Sequence, residues 1–181
     1  MQKRLIIDTK LLSIIINRLC QQLIETHNDF SNTVIIGLQP KGVYLAERIK
    51  SRLSELGYTI EFGHLDITFY RDDFRRRSST IKANATKIDF LIEGKEVVLI
   101  DDVLFTGRSV RSALDAINAF GRPEKVELLI LIDRKYTRDL PIQADYVGKR
   151  VNSMINQKVS VEWKGIEGCK KDNVWLINME E

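Results

Sequence analysis

The chain has little of what usually marks a metal site, a disulfide scaffold or a membrane protein. Its 181 residues include only two cysteines, Cys20 and Cys169, and two histidines, His27 and His64. Neither cysteine has a Cys or His near it at metal-ligand spacing, which argues against a zinc site and against a disulfide framework. Cys20 lies among Leu19, Leu23 and Ile24 and reads as a buried small hydrophobe. The two histidines are far apart in sequence and are assigned packing or surface roles. Net charge is only +3, too small by itself to argue for a nucleic-acid partner. No apolar run approaches membrane-spanning length, and Asp8 and Lys10 interrupt any signal-like run near the N-terminus. The expectation is a cytoplasmic protein with no membrane contact. Repeats and low-complexity tracts are missing too. With 44% apolar residues, the composition is that of a single domain, 1–181, with a proper core.

One stretch carries most of the chemistry. Val97-Val98-Leu99-Ile100 reads as a buried parallel strand. Asp101 and Asp102 follow where that strand should end, and Val103-Leu104-Phe105 lead to the turn Thr106-Gly107-Arg108-Ser109. Val110, Ala113, Leu114 and Ile117 then recur at helical spacing. Such a turn offers free backbone N–H groups and the positive end of a helix dipole, which together hold a phosphate. The acidic pair can hold sugar hydroxyls directly or through a divalent cation.

The flanking pattern fits an α/β fold, with a parallel sheet flanked by helices and a small β-rich hood. Asp8 or Thr9 caps a first helix to about residue 26, whose broad apolar face, widened by Ile14, points to a subunit contact. Residues 33–37 read as a strand, and the turn Gln39-Pro40-Lys41-Gly42 opens a second helix that Gly57 ends. A long strand is expected over 60–70, then a charged loop or hairpin from Arg71 that includes Arg75, Arg76 and Arg77. The helix after Ser109 is expected to close at Gly121. Residues 126–132 give another buried strand, with Asp133-Arg134 at its carboxyl end. Residues 159–163 and 173–177 alternate as two antiparallel strands. In an open α/β sheet, ligands sit outside the carboxyl ends of the strands. The Gly37 turn, the Arg71 loop and Asp133-Arg134 therefore converge on the acidic pair.

The stretch 97–109 resembles the signature of type I phosphoribosyltransferases. The resemblance sharpens with Asp66-Ile67-Thr68-Phe69-Tyr70-Arg71-Asp72-Asp73, Gly121-Arg122-Pro123, Leu131-Ile132-Asp133-Arg134, Leu140-Pro141-Ile142 and Ala144-Asp145-Tyr146-Val147-Gly148-Lys149. Together these resemble the bifunctional pyrimidine-operon attenuator and uracil phosphoribosyltransferase family. The resemblance implies the type I phosphoribosyltransferase fold, with a core of about 30–135 and the remainder forming hood and subunit contacts. It implies Mg²⁺-dependent transfer from 5-phosphoribosyl 1-pyrophosphate (PRPP) to uracil, giving UMP and pyrophosphate, in a homodimer or larger homo-oligomer. It assigns Asp101 and Asp102 to ribose and Mg²⁺, and Thr106, Gly107, Arg108 and Ser109 to the 5-phosphate. Pro40, Lys41 and Gly42 face pyrophosphate, and Arg71 faces the leaving charge. Val103, Leu104 and Phe105 line the bound substrate. Arg134 and the backbone near Val159 border the base, and Asp133-Arg134 with residues 144–149 belongs to the base hood.

Some positions argue against competing enzyme classes, and others depart from the family pattern. Phe105 stands where Tyr is usual, and it cannot act as the proton partner that purine-specific enzymes place there. Asp101-Asp102 differs from the Asp-Pro of dedicated uracil enzymes. Gln39-Pro40-Lys41 replaces a common Lys-Thr-Arg, which removes an N–H donor and the bidentate fork of arginine. In the family's RNA-binding regions Asn17, Gln21, Thr26 and Gln143 replace more basic or hydrogen-bonding residues, while Arg18, Arg138 and Lys149 remain as RNA contacts. The alternatives are a UMP-responsive RNA attenuator with weak or no catalysis, and an enzyme for another base such as hypoxanthine or guanine.

Overall fold

β1 (Lys3–Ile7) and α1 (Thr9–His27) open the chain in the computed structural model, which describes residues 2–70 and 85–179. Asp8 caps α1, its Oδ1 accepting the Leu11 backbone N–H at 2.8 Å. β2 (Thr33–Leu38), α2 (Gly42–Glu55) and β3 (Glu61–Leu65) follow. Next come β4 (Glu96–Leu104), α3 (Arg108–Ile117), β5 (Lys125–Lys135) and β6 (Tyr146–Asn152). β7 (Gln157–Glu162) and β8 (Asn173–Asn178) complete the order.

The main sheet runs β3-β2-β4-β5-β6 and all its pairs are parallel. Its central strands are apolar on both faces because both faces are covered. Ile35, Val98, Ile100, Leu129 and Leu131 pack with α1 and α2, whereas Ile36, Val97, Leu99, Leu128 and Ile130 pack with α3. The hood is a three-stranded antiparallel sheet, β1-β8-β7. Its Val159, Val161, Trp163, Val174 and Leu176 bury into the same cluster as α1 and α2. Cys20 lies fully within that cluster, and burial pushes its thiol up to about 12.

Several boundaries move. The strand expected over 60–70 stops at Leu65, because the Asp66 carboxylate accepts the Thr68 backbone N–H at 2.8 Å and turns the chain into a short 3-10 turn, Thr68–Tyr70. α3 ends at Ile117, before Gly121, which lies in the left-handed region with φ +136. Asp133 and Arg134 fall inside β5, since β6 extends the sheet beside them, pairing Asp133 with Arg150 and Arg134 with Val151. Residues 144–149, expected in the hood, instead lead into and begin β6, so the main sheet reaches Asn152 rather than ending near 135. β1 is absent from the sequence reading: its short run Lys3-Arg4-Leu5-Ile6-Ile7 shows no alternation, and its pairing with β8 comes from the far end of the chain. On α1, Leu11 and Ile14 are 37% and 55% exposed. No helix among the described residues is long and apolar enough to cross a membrane.

Candidate active site

The acidic pair sits where the sheet changes neighbours. β2 and β3 lie on one side of β4, and β5 and β6 on the other, so the crevice beyond β2 and β4 is the switch point of this α/β sheet. Pairing of β2 with β4 ends at Gly37 opposite Ile100. Pairing of β4 with β5 continues to Leu104 opposite Asp133. Asp101 and Asp102 therefore lie within β4 rather than beyond it, on the stretch whose β2 edge is open. β5 supplies the ladder that carries the strand on.

Gly42, the first residue of α2, closes that open edge. A Cβ there would lie 2.5 Å from Ile100 O, 2.8 Å from Asp101 Cα and 2.9 Å from Asp101 Oδ1. Only glycine lets the start of α2 approach the acidic pair so closely. Gly37 has the same role at the end of β2, where a Cβ would lie 2.9 Å from Ala46 Cβ and from Val43 Cα. The Gln39–Pro40 peptide between them is cis.

Asp101 Oδ1 accepts the Asp102 backbone N–H at 2.9 Å. Burial pushes the Asp102 carboxyl above the usual carboxylate range, and the Lys41 ammonium works against that rise. A carboxylate placed in low dielectric beside one cation is an acceptor that gains from a second positive partner. Among the described residues no group of three or more His, Cys, Asp and Glu side chains could hold a metal. The donor set is thus two carboxylates, which fits Mg²⁺ held partly by substrate oxygens and water rather than by an all-protein cage.

Two helix N-termini frame this pair, and both lack the side-chain cap that α1 has. Lys41 precedes α2 and Gly107 precedes α3, with no capping hydrogen bond from either. Their first N–H groups have no intrahelical partner and suit an anion. Gly107 holds φ +90, and a Cβ there would lie 3.0 Å from Ile142 Cγ1. The Arg108 backbone N–H donates to Thr106 Oγ1 at 3.4 Å, and the Arg108 side chain meets Asp139 Oδ2 at 3.0 Å. Pro40 and Arg108 are exposed, Lys41, Thr106 and Ser109 half-buried.

The remaining site residues divide sharply. Leu104 and Val159 are buried in the two cores and Val103 is half-buried, so the side chains of Leu104 and Val159 face away from solvent. Phe105 is 37% exposed. Arg134 is buried, and its guanidinium grips the turn between β6 and β7. It donates to Ser153 Oγ at 2.8 Å, Met154 O at 3.0 Å and Gln157 O at 2.8 Å. One face of it stacks on the Phe105 ring. Arg71, Arg75, Arg76 and Arg77 lie outside the described residues.

The three cations assigned to RNA all donate to this chain's own backbone. Arg18 donates to Val147 O at 3.0 Å and Gly148 O at 2.6 Å. Lys149 donates to Ile6 O at 3.2 Å. Arg138 bonds to carbonyls of its own segment and of the turn after β4. These tertiary bonds join distant segments and leave no local pattern in the sequence.

Known proteins match this chain over most of its length. The phosphoribosyl transferase domain family matches residues 6–165. Among curated relatives, the bifunctional protein PyrR of Haemophilus ducreyi is 43% identical over 170 residues, 93% of this chain and 94% of that one. The bifunctional protein PyrR of Desulfosudis oleivorans is 44% identical, covering 89% of this chain and 90% of its own. Among solved structures, the hypoxanthine phosphoribosyltransferase of Trypanosoma cruzi in complex with the product IMP superposes with a TM-score of 0.71 at 12% identity, over 97% of this chain and 93% of that one. A hypoxanthine phosphoribosyltransferase from Staphylococcus aureus gives 0.69 at 17% identity, over 94% and 90%. At such identities the structural likeness speaks to the fold.

Proposed function

This chain belongs to the phosphoribosyl transferase domain family and, within it, to the bifunctional PyrR proteins, and on that premise we propose that it transfers the phosphoribosyl group of PRPP to uracil. The observation that carries the reading is the pair of helix N-termini whose N-cap residues, Lys41 and Gly107, make no capping bond, the α2 start pressed against Asp101 and the α3 start following the acidic pair along the chain. A substrate with a phosphate at one end, a pyrophosphate at the other and ribose hydroxyls between matches that order of groups.

In the reaction the bond from ribose C1 to pyrophosphate oxygen breaks, its electron pair leaving with pyrophosphate, and a bond from C1 to uracil N1 forms while the N1 proton passes to water. Positive charge gathers on the ribose as the bond breaks, so positioning and charge stabilisation dominate. The backbone N–H groups of residues 106–109 hold the 5-phosphate. Lys41 and the N–H groups at the start of α2 hold the pyrophosphate. Asp101 and Asp102 hold the ribose hydroxyls and favour the positive charge that develops. Mg²⁺ on these carboxylates, when bound, neutralises the departing pyrophosphate. Phe105 offers an apolar surface beside the base and no proton, which favours a pyrimidine over a purine acceptor. Arg71 adds a cation for the leaving group.

The enzyme reading stands above that of a catalytically idle attenuator because Gln21, Thr26 and Gln143 carry no charge where the family's RNA-binding regions are more basic. Affinity for RNA follows the number of phosphates neutralised. A homo-oligomer in the cytoplasm, joined through the exposed Leu11 and Ile14 of α1, completes the reading. The test is UMP formation from uracil and PRPP with and without Mg²⁺, beside titration with a pyrimidine-operon leader RNA at several salt concentrations. Mg²⁺-dependent UMP formation is expected. Salt-sensitive RNA binding without UMP formation would replace this reading with the attenuator.

A further inference from the structure

Resting on the reading of residues 106–109 as the 5-phosphate cradle, we propose that Arg138 is the positioning residue of that cradle, bracing the turn from behind without touching substrate. A turn that aims successive N–H groups at an anion aims its carbonyls the other way. Those carbonyls need donors, because an unsatisfied buried carbonyl is costly. Here residues 138–140 supply them. Arg138 Nη1 donates to Leu104 O at 3.3 Å and also to Phe105 O. The next carbonyl, Thr106 O, accepts the backbone N–H groups of Asp139 at 3.0 Å and Leu140 at 3.1 Å. Three consecutive carbonyls leading into the turn are thereby fixed by three consecutive residues.

The rest of the guanidinium ties this brace to the sheet. Nε donates to Ile142 O at 3.1 Å, Nη1 reaches Arg134 O at 3.4 Å, and Nη2 pairs with Asp133 Oδ1. Asp133, in β5, is largely buried at its carboxylate and sits 3.6 Å from Arg150 Nε through its other oxygen. The guanidinium spreads its donors over three nitrogens, with the two N–H groups of Nη1 shared among Leu104 O, Phe105 O and the longer Arg134 O contact, and a lysine ammonium with three donors on one nitrogen cannot span these acceptors. The Ile142 side chain of the same segment lies against the Gly107 backbone, where an added Cβ would meet Ile142 Cγ1 at 3.0 Å. Loss of Arg138 leaves Leu104 O and Phe105 O to turn toward water; rotation of the Phe105–Thr106 peptide swings the Thr106 N–H, the first of the cradle, away from the phosphate position, and the Leu104–Phe105 peptide that leads into it loosens with it. Phosphate affinity then depends on a residue that makes no phosphate contact.

The experiment compares the wild-type chain with Arg138→Gln and Arg138→Lys. Calorimetric binding of ribose 5-phosphate reports the turn, and binding of inorganic pyrophosphate reports the α2 N-terminus. Arg138→Gln is expected to weaken ribose 5-phosphate about tenfold or more while pyrophosphate changes less than about twofold, with Arg138→Lys between. Unchanged ribose 5-phosphate binding overturns the proposal, as does equal weakening of both anions, which would mean general loosening. If the wild-type chain binds no ribose 5-phosphate, the cradle reading itself fails, and amide exchange decides the brace. Faster exchange at residues 106–109 in Arg138→Gln, with β4 core amides unchanged, supports it, and unchanged exchange there overturns it.

Discussion

The guanidinium carbon of Arg134 lies 3.9 Å from the centroid of the Phe105 ring. This contact joins the segment after β4 to the turn between β6 and β7, because the same guanidinium donates to Ser153, Met154 and Gln157. The two partners are unequal. Arg134→Gln strips donors from two carbonyls and a hydroxyl around a buried position, and a loss of roughly 2–4 kcal/mol is expected. Phe105→Leu removes only the cation–ring attraction and some area, about 0.5–1 kcal/mol. Denaturant unfolding of the two variants checks the order. Kinetics checks the role: Phe105→Leu is expected to raise KM for uracil more than KM for PRPP.

Asp102→Asn keeps the shape of the side chain and removes its charge. Burial already works against the ionised form of Asp102, so the variant is expected to melt at the wild-type temperature or slightly above it. Transfer from PRPP should nevertheless fall on the order of a hundredfold or more, because charge stabilisation at the reacting sugar is lost. Steady-state kinetics with thermal melting separates the two effects. Unchanged turnover would remove Asp102 from the site.

Gly42→Ala tests the approach of α2 to the acidic pair. The added methyl would meet the backbone of Ile100 and Asp101 at 2.5 and 2.8 Å, and neither atom is the end of a flexible side chain. Overpacking of this kind destabilises by roughly 1–3 kcal/mol. The helix start should also shift off the pyrophosphate position, so pyrophosphate inhibition is expected to weaken while ribose 5-phosphate binding holds. Wild-type stability in this variant would show that α2 is not pressed against β4 as described.

The central architecture is legible in the sequence because each of its parts is local. Val97-Val98-Leu99-Ile100 has the apolar run of a strand covered on both faces, and Gly107 stands where a left-handed helix entry is needed. What was not legible depends on chain ends and distant pairs. β1 exists as a strand because β8 offers it an edge. Asp101 and Asp102 lie inside β4 because β5 outruns β2 as a partner. Arg134 and Arg138 show the limit most clearly: by type they are cations for anionic ligands, and only the fold shows that their donors go to Met154, Gln157, Leu104 and Phe105. His27, expected to pack or to lie at the surface, is instead buried in a polar cluster, its ring between Glu96 at 2.9 Å and Glu127 at 2.8 Å.

The cluster around His27 yields an alkaline prediction through Tyr146. Its hydroxyl donates to Glu127 Oε2 at 3.1 Å and lies 3.2 Å from His27 Nε2. Burial pushes the phenol from 10.0 up to about 12; the hydrogen bond with Thr26 opposes this, and the charges of Glu127 and Asp145 add to it. The folded chain therefore holds this proton more tightly than the unfolded chain. Its contribution to stability is complete below pH 10 and is lost as pH rises toward 12. The full effect corresponds to roughly 2–3 kcal/mol. Lys125, which bonds Glu127 at 2.6 Å, also has its pKa raised, by that hydrogen bond, and adds a loss of the same sign. Tyr146→Phe isolates the phenol. It should be less stable than wild type at pH 8 because Glu127 loses a donor, and the gap between the two proteins should close as pH rises from 10 to 12. Urea unfolding at intervals across that range measures the gap, and a constant difference would show that the phenol titrates alike in the folded and unfolded chains.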